Sequence, residues 1–206
     1  SKISNLDKTT NQKFFNESLD KIFIYFNCDK GSSCIWNNKE IKSHNYSPFY
    51  EKYLKNWRSS KINILELGSH EGKGIASYYY YFCNSNLTGI NINPFQMKFS
   101  SKRITELFTD VSSEKNLKNL ANHLVQDQDI IIDDASHNLR DILISFAILF
   151  DSAATASNSD FESLHSLSRF NISSIMSFAS KSLIFNSSII SLFCSFILDI
   201  SNILLD

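Results

Sequence analysis

Two short stretches carry the residues whose types and spacing could do chemistry. The first is Glu66-Leu-Gly68-Ser69-His70-Glu71-Gly72-Lys73-Gly74, lying between an apolar run and a helical stretch. Glycines at the end of a strand let a ligand approach the backbone because no Cβ intervenes, and the helix that follows offers unpaired N–H groups to a carboxylate. An ordinary strand-to-helix turn is the alternative. The second stretch is Asp129-Ile-Ile-Ile-Asp133-Asp134-Ala-Ser136-His137, an apolar strand running into polar residues. An Asp pair there can cap the next helix, and a lone histidine is often a loop residue. The glycine spacing of the first stretch fits neither the dinucleotide pattern G-x-G-x-x-G nor the phosphate loop G-x-x-x-x-G-K-[ST], because Lys73 is followed by Gly74. A phosphate-loop ATPase is therefore disfavoured.

The elements that must position these residues follow from the apolar pattern. From Lys61 onward, short β-rich runs alternate with helical ones, which predicts parallel βαβ units. Strands are expected at Ile62–Leu67, Leu87–Ile92, Glu106–Phe108 and Asp129–Ile132. Helices are expected at Ile75–Phe82, Phe95–Ser101, Ser113–Leu124 and Leu139–Phe150. Four such units make a Rossmann-like, mostly parallel α/β sheet. Residues 1–60 read as an N-terminal helical extension, with helices through Lys13–Phe26 and Ser47–Trp57 around a loop at Cys28–Ser33. Residues 61–150 form the core, and residues 151–206 an atypical serine-rich C-terminal segment without glycine or proline.

Composition narrows the class. With 43% apolar and 20% charged residues the chain suits a globular protein, and its length suits one domain with appendages. A formal charge of −1 gives no bulk attraction to nucleic acid or anionic lipid. Cys28, Cys34, Cys83 and Cys194 show no metal-type spacing, so free thiols in a reducing cytoplasm are expected. Neither a secretory signal nor a membrane span is expected: Ser188–Leu205 is interrupted by Asp199, Asn202 and serines. Tyr78–Tyr81 could suggest a base-stacking platform, but packing explains an aromatic helix better. His70 and Glu71 read as loop residues or as ligand contacts.

Glu66-x-Gly68-x-x-x-Gly72 resembles motif I of class I S-adenosylmethionine-dependent methyltransferases, and Thr88-Gly-Ile-Asn91-Ile-Asn-Pro94 is similar to the end of their second strand. Asp129–His137 resembles the D-I-I-I-D-D-G-S-H signature of metal-dependent macrolide-sugar O-methyltransferases and their cephalosporin hydroxylase-like relatives. Upstream, Asp29-Lys30-Gly31 and His44-Asn-Tyr46-Ser-Pro-Phe-Tyr50 are similar to segments that close over the cofactor in that family; an aromatic helix face packing on the sheet is the other reading of the tyrosines.

The resemblance implies S-adenosylmethionine as cofactor, held by Lys30, Tyr46, Glu66, Gly68, Ser69, Gly72, Asn91, Asp110 and Asp133. It implies Asp134 as a ligand of Mg2+ and His137 as the base for a hydroxyl of a small-molecule acceptor, a sugar among the candidates. An imidazole that takes the proton and a cation that lowers the hydroxyl's pKa are complementary devices for so weak an acid. Asn91 departs from the family's Asp or Glu, which accepts from the ribose hydroxyls, and a neutral acceptor there is expected to weaken cofactor binding about tenfold.

Beyond Phe150 the resemblance stops. The family continues with a glycine pair, a further strand and an acidic pair completing the magnesium site, and none of these stands in 151–206. Two explanations are open: a tail read in a shifted frame or from a replaced 3′ end, or a divergent tail whose runs Ile184-Phe185 and Ile189–Leu198 complete the sheet. The alternative to an enzyme is a non-catalytic or truncated remnant of the fold with an incomplete metal site. An iron-dependent hydroxylase is poorly supported, since no 2-His-1-carboxylate set is evident.

Overall fold

The alternation of Asn63-Ile-Leu-Glu-Leu67 builds the centre of the molecule. In the computed structural model this run is strand β4 (Asn63–Leu67), with β5 (Asn86–Asn91) and β8 (Ile130–Asp133) parallel to it on either side. The structure describes residues 3–8, 14, 16–124, 128–154 and 183–185, the last three and 150–154 as backbone alone. Strand β7 (Ile104–Phe108) pairs with β5, so the order β7-β5-β4-β8 is parallel throughout. The backbone of β9 (Leu183–Phe185) lies antiparallel along β8. This falls on the expected Ile184-Phe185 run, whereas Ile189–Leu198 and Cys194 lie outside the described residues.

Both faces of the parallel sheet are covered, as the apolar strands require. Alternate side chains point to opposite faces. Ile64, Ile130 and Ile132 pack with α1 (Leu19–Tyr25), α2 (Ser47–Leu54) and α3 (Lys73–Tyr81), through Leu19, Ile22, Phe23, Tyr50, Ile75 and Tyr78. Leu65, Leu67 and Ile131 pack with α4 (Glu114–His123) and α5 (Leu139–Ala154), through Leu117, Leu120, Ile142 and Leu149. The N-terminal extension thus shares one apolar cluster with the sheet. Tyr78–Tyr81 are all buried, so the aromatic run packs rather than presenting a platform for bases.

Three expectations need correction. The first helix begins at Leu19, later than expected, because Ser18 caps it, accepting from the Lys21 N–H at 3.3 Å; Lys13 lies outside the described residues. A hairpin of β2 (Ser33–Trp36) and β3 (Lys39–Lys42) follows, turning at Asn37-Asn38, whose φ values of 49° and 61° suit a two-residue hairpin turn. No helix forms over Phe95–Ser101. Its backbone is claimed elsewhere: the Met97 N–H donates to Glu106 Oε1 at 3.2 Å, the Lys98 N–H to the Glu71 carbonyl at 2.9 Å, and β6 (Phe99–Ser100) pairs with β1 (Ser4–Asn5). Among the described residues no helix is long and apolar enough to cross a membrane.

Candidate functional site

Because β4, β5, β7 and β8 are parallel, their carboxyl ends open onto one edge of the sheet, where ligands of such sheets gather. The turn after β4 is built for close approach. Gly68 has φ +79°, and a Cβ on it would lie 2.4 Å from the Asp134 carbonyl oxygen and 2.6 Å from the Ala135 Cα. The Asp134 N–H in turn donates to the Leu67 carbonyl at 3.0 Å. The glycine turn and the Asp–His segment therefore share one crevice.

The N–H groups of Gly68 and Ser69 both donate to the Ile90 carbonyl, at 2.9 and 3.0 Å, and the Gly72 N–H donates to the Ser69 carbonyl at 2.7 Å. Gly72, at φ +78°, then sets the left-handed entry into α3, whose first turn presents N–H groups without intrahelical partners. Asn91, at the end of β5, grips the same turn. Its Oδ1 accepts from the His70 N–H at 2.6 Å, and its Nδ2 donates to the His70 carbonyl at 3.1 Å and to Glu106 Oε1 at 3.4 Å. The expected ribose acceptor is thus also the clamp on the glycine turn.

Beneath the turn lies a buried charge cluster. Glu66 points to the α3 face, where Gly74 leaves room for it: a Cβ on Gly74 would meet its Oε1 at 2.4 Å. The Lys30 ammonium arrives from the loop after α1, 3.4 Å from Glu66 Oε1 and hydrogen-bonded to Asp134 Oδ2. Lys30 and Glu66 are both fully buried. Burial opposes the charge on Lys30, but the Glu66 and Asp134 carboxylates outweigh it and hold the ammonium well above its ordinary range. Burial raises Glu66 above the usual carboxylate range, with Lys30 acting against the shift.

The Lys30 carbonyl accepts from the Tyr46 N–H at 2.8 Å, bringing Tyr46 beside the cluster. Burial first, then the Asp134 and Asp29 carboxylates, raise its phenol. His137, at φ +55°, is exposed, with Nε2 3.8 Å from Asp134 Oδ1.

Two expected cofactor residues sit apart from this cluster. Asp133 lies on the α5 face of the sheet, buried, its Oδ1 accepting from the Ala135 N–H at 3.2 Å; burial raises its pKa, opposed by hydrogen bonds from Ala135 and Ser145. Asp110 follows β7 and binds Ser112 through both its N–H and its hydroxyl, which lower its pKa. The sequence reading missed two positioning carboxylates. Asp20 gathers the Ser32 N–H, the Ser32 hydroxyl and the Ser47 hydroxyl at 2.7, 2.8 and 2.7 Å, fixing the Lys30 loop to α2. Glu106 ties Asn91 to the Met97 segment. Glu106 interrupts an apolar strand in the sequence, and that was its available signal.

The residues do not fit the magnesium ion expected at Asp134. Among the described residues no three His, Cys, Asp or Glu side chains gather to hold a metal, and the Asp134 carboxylate is engaged by an ammonium.

Parallel strand order, glycine turn and strand-end crevice make a Rossmann-like α/β fold of the kind found in class I methyltransferases. Among solved structures the chain is similar to the MycE methyltransferase of the mycinamycin biosynthetic pathway, in complex with Mg, S-adenosylhomocysteine and mycinamycin VI, at 21% identity and a TM-score of 0.55, over 66% of this chain and 36% of that one. A second MycE structure, with Mg and S-adenosylhomocysteine, aligns at 26% identity and a TM-score of 0.45, over 52% of this chain and 28% of that one. The matched region thus spans about a third of MycE. No protein-family model and no curated protein matches the chain.

Proposed function

We propose that this chain binds S-adenosylmethionine at the strand-end crevice and transfers its methyl group to a hydroxyl of a small molecule, a sugar being the candidate class. The observation that carries the reading is the packing of Gly68 against the Asp134 backbone, which brings the glycine turn, Lys30, Asn91 and His137 to one edge of the sheet. The first turn of α3 suits the methionine carboxylate, and Asn91 and Asp110, at and just beyond the ends of the neighbouring strands β5 and β7, would take the nucleoside. The exposed His137 is positioned to take the proton of an entering hydroxyl. The likeness to MycE supports the same chemistry, and the unpaired thiols of Cys28, Cys34 and Cys83 suit a reducing cytoplasm.

A second reading is a cofactor-binding protein without catalysis, favoured by the engagement of Asp134 with Lys30. Calorimetric titration of the full chain with S-adenosylmethionine, followed by a radiolabelled methyl-transfer assay over a panel of sugars and alcohols, decides between them. Saturable binding with label transfer that His137→Gln reduces at least about hundredfold supports the enzyme. Binding without transfer over the panel supports the second reading, and absence of saturable binding removes both.

A further inference from the structure

The Lys30 ammonium lies between two carboxylates, Glu66 and Asp134, and so takes up the side chain expected to bind a divalent cation. It is hydrogen-bonded to Asp134 and lies 3.4 Å from Glu66, while a magnesium ion needs oxygen ligands at about 2.0–2.1 Å in near-octahedral array. The position is built. The Gly31 N–H donates to the Cys28 carbonyl at 3.2 Å, the Tyr46 N–H to the Lys30 carbonyl at 2.8 Å, and the Asn45 N–H to the Gly31 carbonyl at 2.8 Å. A Cβ on Gly31 would meet the Phe23 Cβ at 3.0 Å, so this stretch of loop lies close against α1. That lattice of backbone bonds fixes the Lys30 main chain, from which the ammonium reaches both carboxylates.

We infer that Lys30 is the resident cation of this crevice, a positioning residue that engages Glu66 and Asp134 and leaves the Asp134 carboxylate unavailable to magnesium. The inference deepens the methyl-transfer reading and takes from it that the crevice is the functional site. A covalently tethered ammonium neutralises the two carboxylates at every metal concentration, and it still offers donors that orient the Asp134 side chain toward His137.

The test uses Mn2+ alone, followed by loss of the free-ion electron paramagnetic resonance signal, on the full chain without S-adenosylmethionine. Wild type is expected to take up no Mn2+ that Asp134→Asn abolishes. Lys30→Met, which removes the charge and keeps most of the stem, is expected to gain a site at least tenfold tighter than any in wild type, lost again in Lys30→Met/Asp134→Asn. Uptake by wild type that Asp134→Asn removes would overturn the inference, as would a folded Lys30→Met that gains none. If circular dichroism shows Lys30→Met unfolded, the comparison of wild type with Asp134→Asn alone decides. Since no cofactor enters this measurement, failure of S-adenosylmethionine to bind would sink the proposed function and leave the cation result standing.

Discussion

Asn91 and His70 are joined by a two-way amide clamp: the side-chain oxygen accepts the His70 N–H at 2.6 Å while the side-chain nitrogen donates to the His70 carbonyl at 3.1 Å. His70 has φ +47°, a conformation costly for a residue with a Cβ, and the clamp holds it there. Asn91→Ala removes both bonds from a buried site, so a loss of about 1–3 kcal/mol in stability is expected. Asn91→Asp keeps the acceptor but loses the donor and brings a negative charge toward Glu106, so it is expected to recover only part of that loss. Urea melts of the three proteins check the ranking, and equal stability of Asn91→Ala and wild type would dismiss the clamp.

Gly68 tolerates no side chain. Left-handed φ alone costs an alanine about 1–2 kcal/mol, and the Cβ would press on the backbone of Asp134 and Ala135 at 2.4 and 2.6 Å, which cannot swing aside as a side-chain tip would. Gly68→Ala is therefore expected to lose more than about 3 kcal/mol, or to fail to fold. Thermal melting and soluble yield measure this, and a Tm within a degree or two of wild type would contradict the geometry.

Cys28 gives the molecule an alkaline limit. Burial, partly offset by Lys30, pushes its thiol from 9.0 up to about 12. The folded state then holds the proton more tightly than the unfolded state, so the stability it contributes is complete below about pH 9 and is lost as the pH rises towards 12. Wild type should lose Tm more steeply than Cys28→Ala between pH 9 and 11, a window that the shift itself sets. The native thiol should also resist alkylation at pH 8.5, below that window. Parallel slopes for the two proteins would show that Cys28 has no part in the alkaline limb.

Arg103 closes the end of α3. Its guanidinium donates to the carbonyls of Tyr79, Phe82 and Ser85 at 2.8, 3.2 and 2.8 Å and lies 3.9 Å from the centroid of the Tyr79 ring. Only a planar fork reaches all three acceptors. Arg103→Lys is expected to cost about 1.5–3 kcal/mol despite the retained charge. A chemical denaturation midpoint matching wild type would refute the fork.

The strands and the helices that cover them were legible because apolar alternation and period are local properties: Ile64, Leu65 and Leu67, or Leu117 and Leu120, declare their faces within a few residues. The hairpin around Asn37-Asn38 had its signal in that dipeptide, yet the flanking Ser33–Trp36 and Lys39–Lys42 are mostly polar or exposed and lacked an apolar face to advertise them. The failure at Phe95–Ser101 has a different cause: its backbone is bonded to Glu106, to Glu71 and to Ser4–Asn5, partners no window on the segment contains. The site divides in the same way. The turn at Gly68 and Gly72 was readable from glycine spacing, and family resemblance pointed to Lys30 and Asp134. That these two are ion-paired could not be read locally, because the bond exists only after the chain has folded across the sheet.

The separation of Lys30 from Asp134 by 104 residues has a consequence for how the molecule comes into being. During synthesis the lysine emerges long before its partner and stays hydrated until β8 and the turn after it are made. Burying its charge earlier would strand an ammonium beside Glu66 alone, and the desolvation would be only partly compensated. Lys30 therefore gains its second carboxylate only once β8 and the turn after it are in place, and a chain ending before Asp134 would hold one half of the ion-paired cluster.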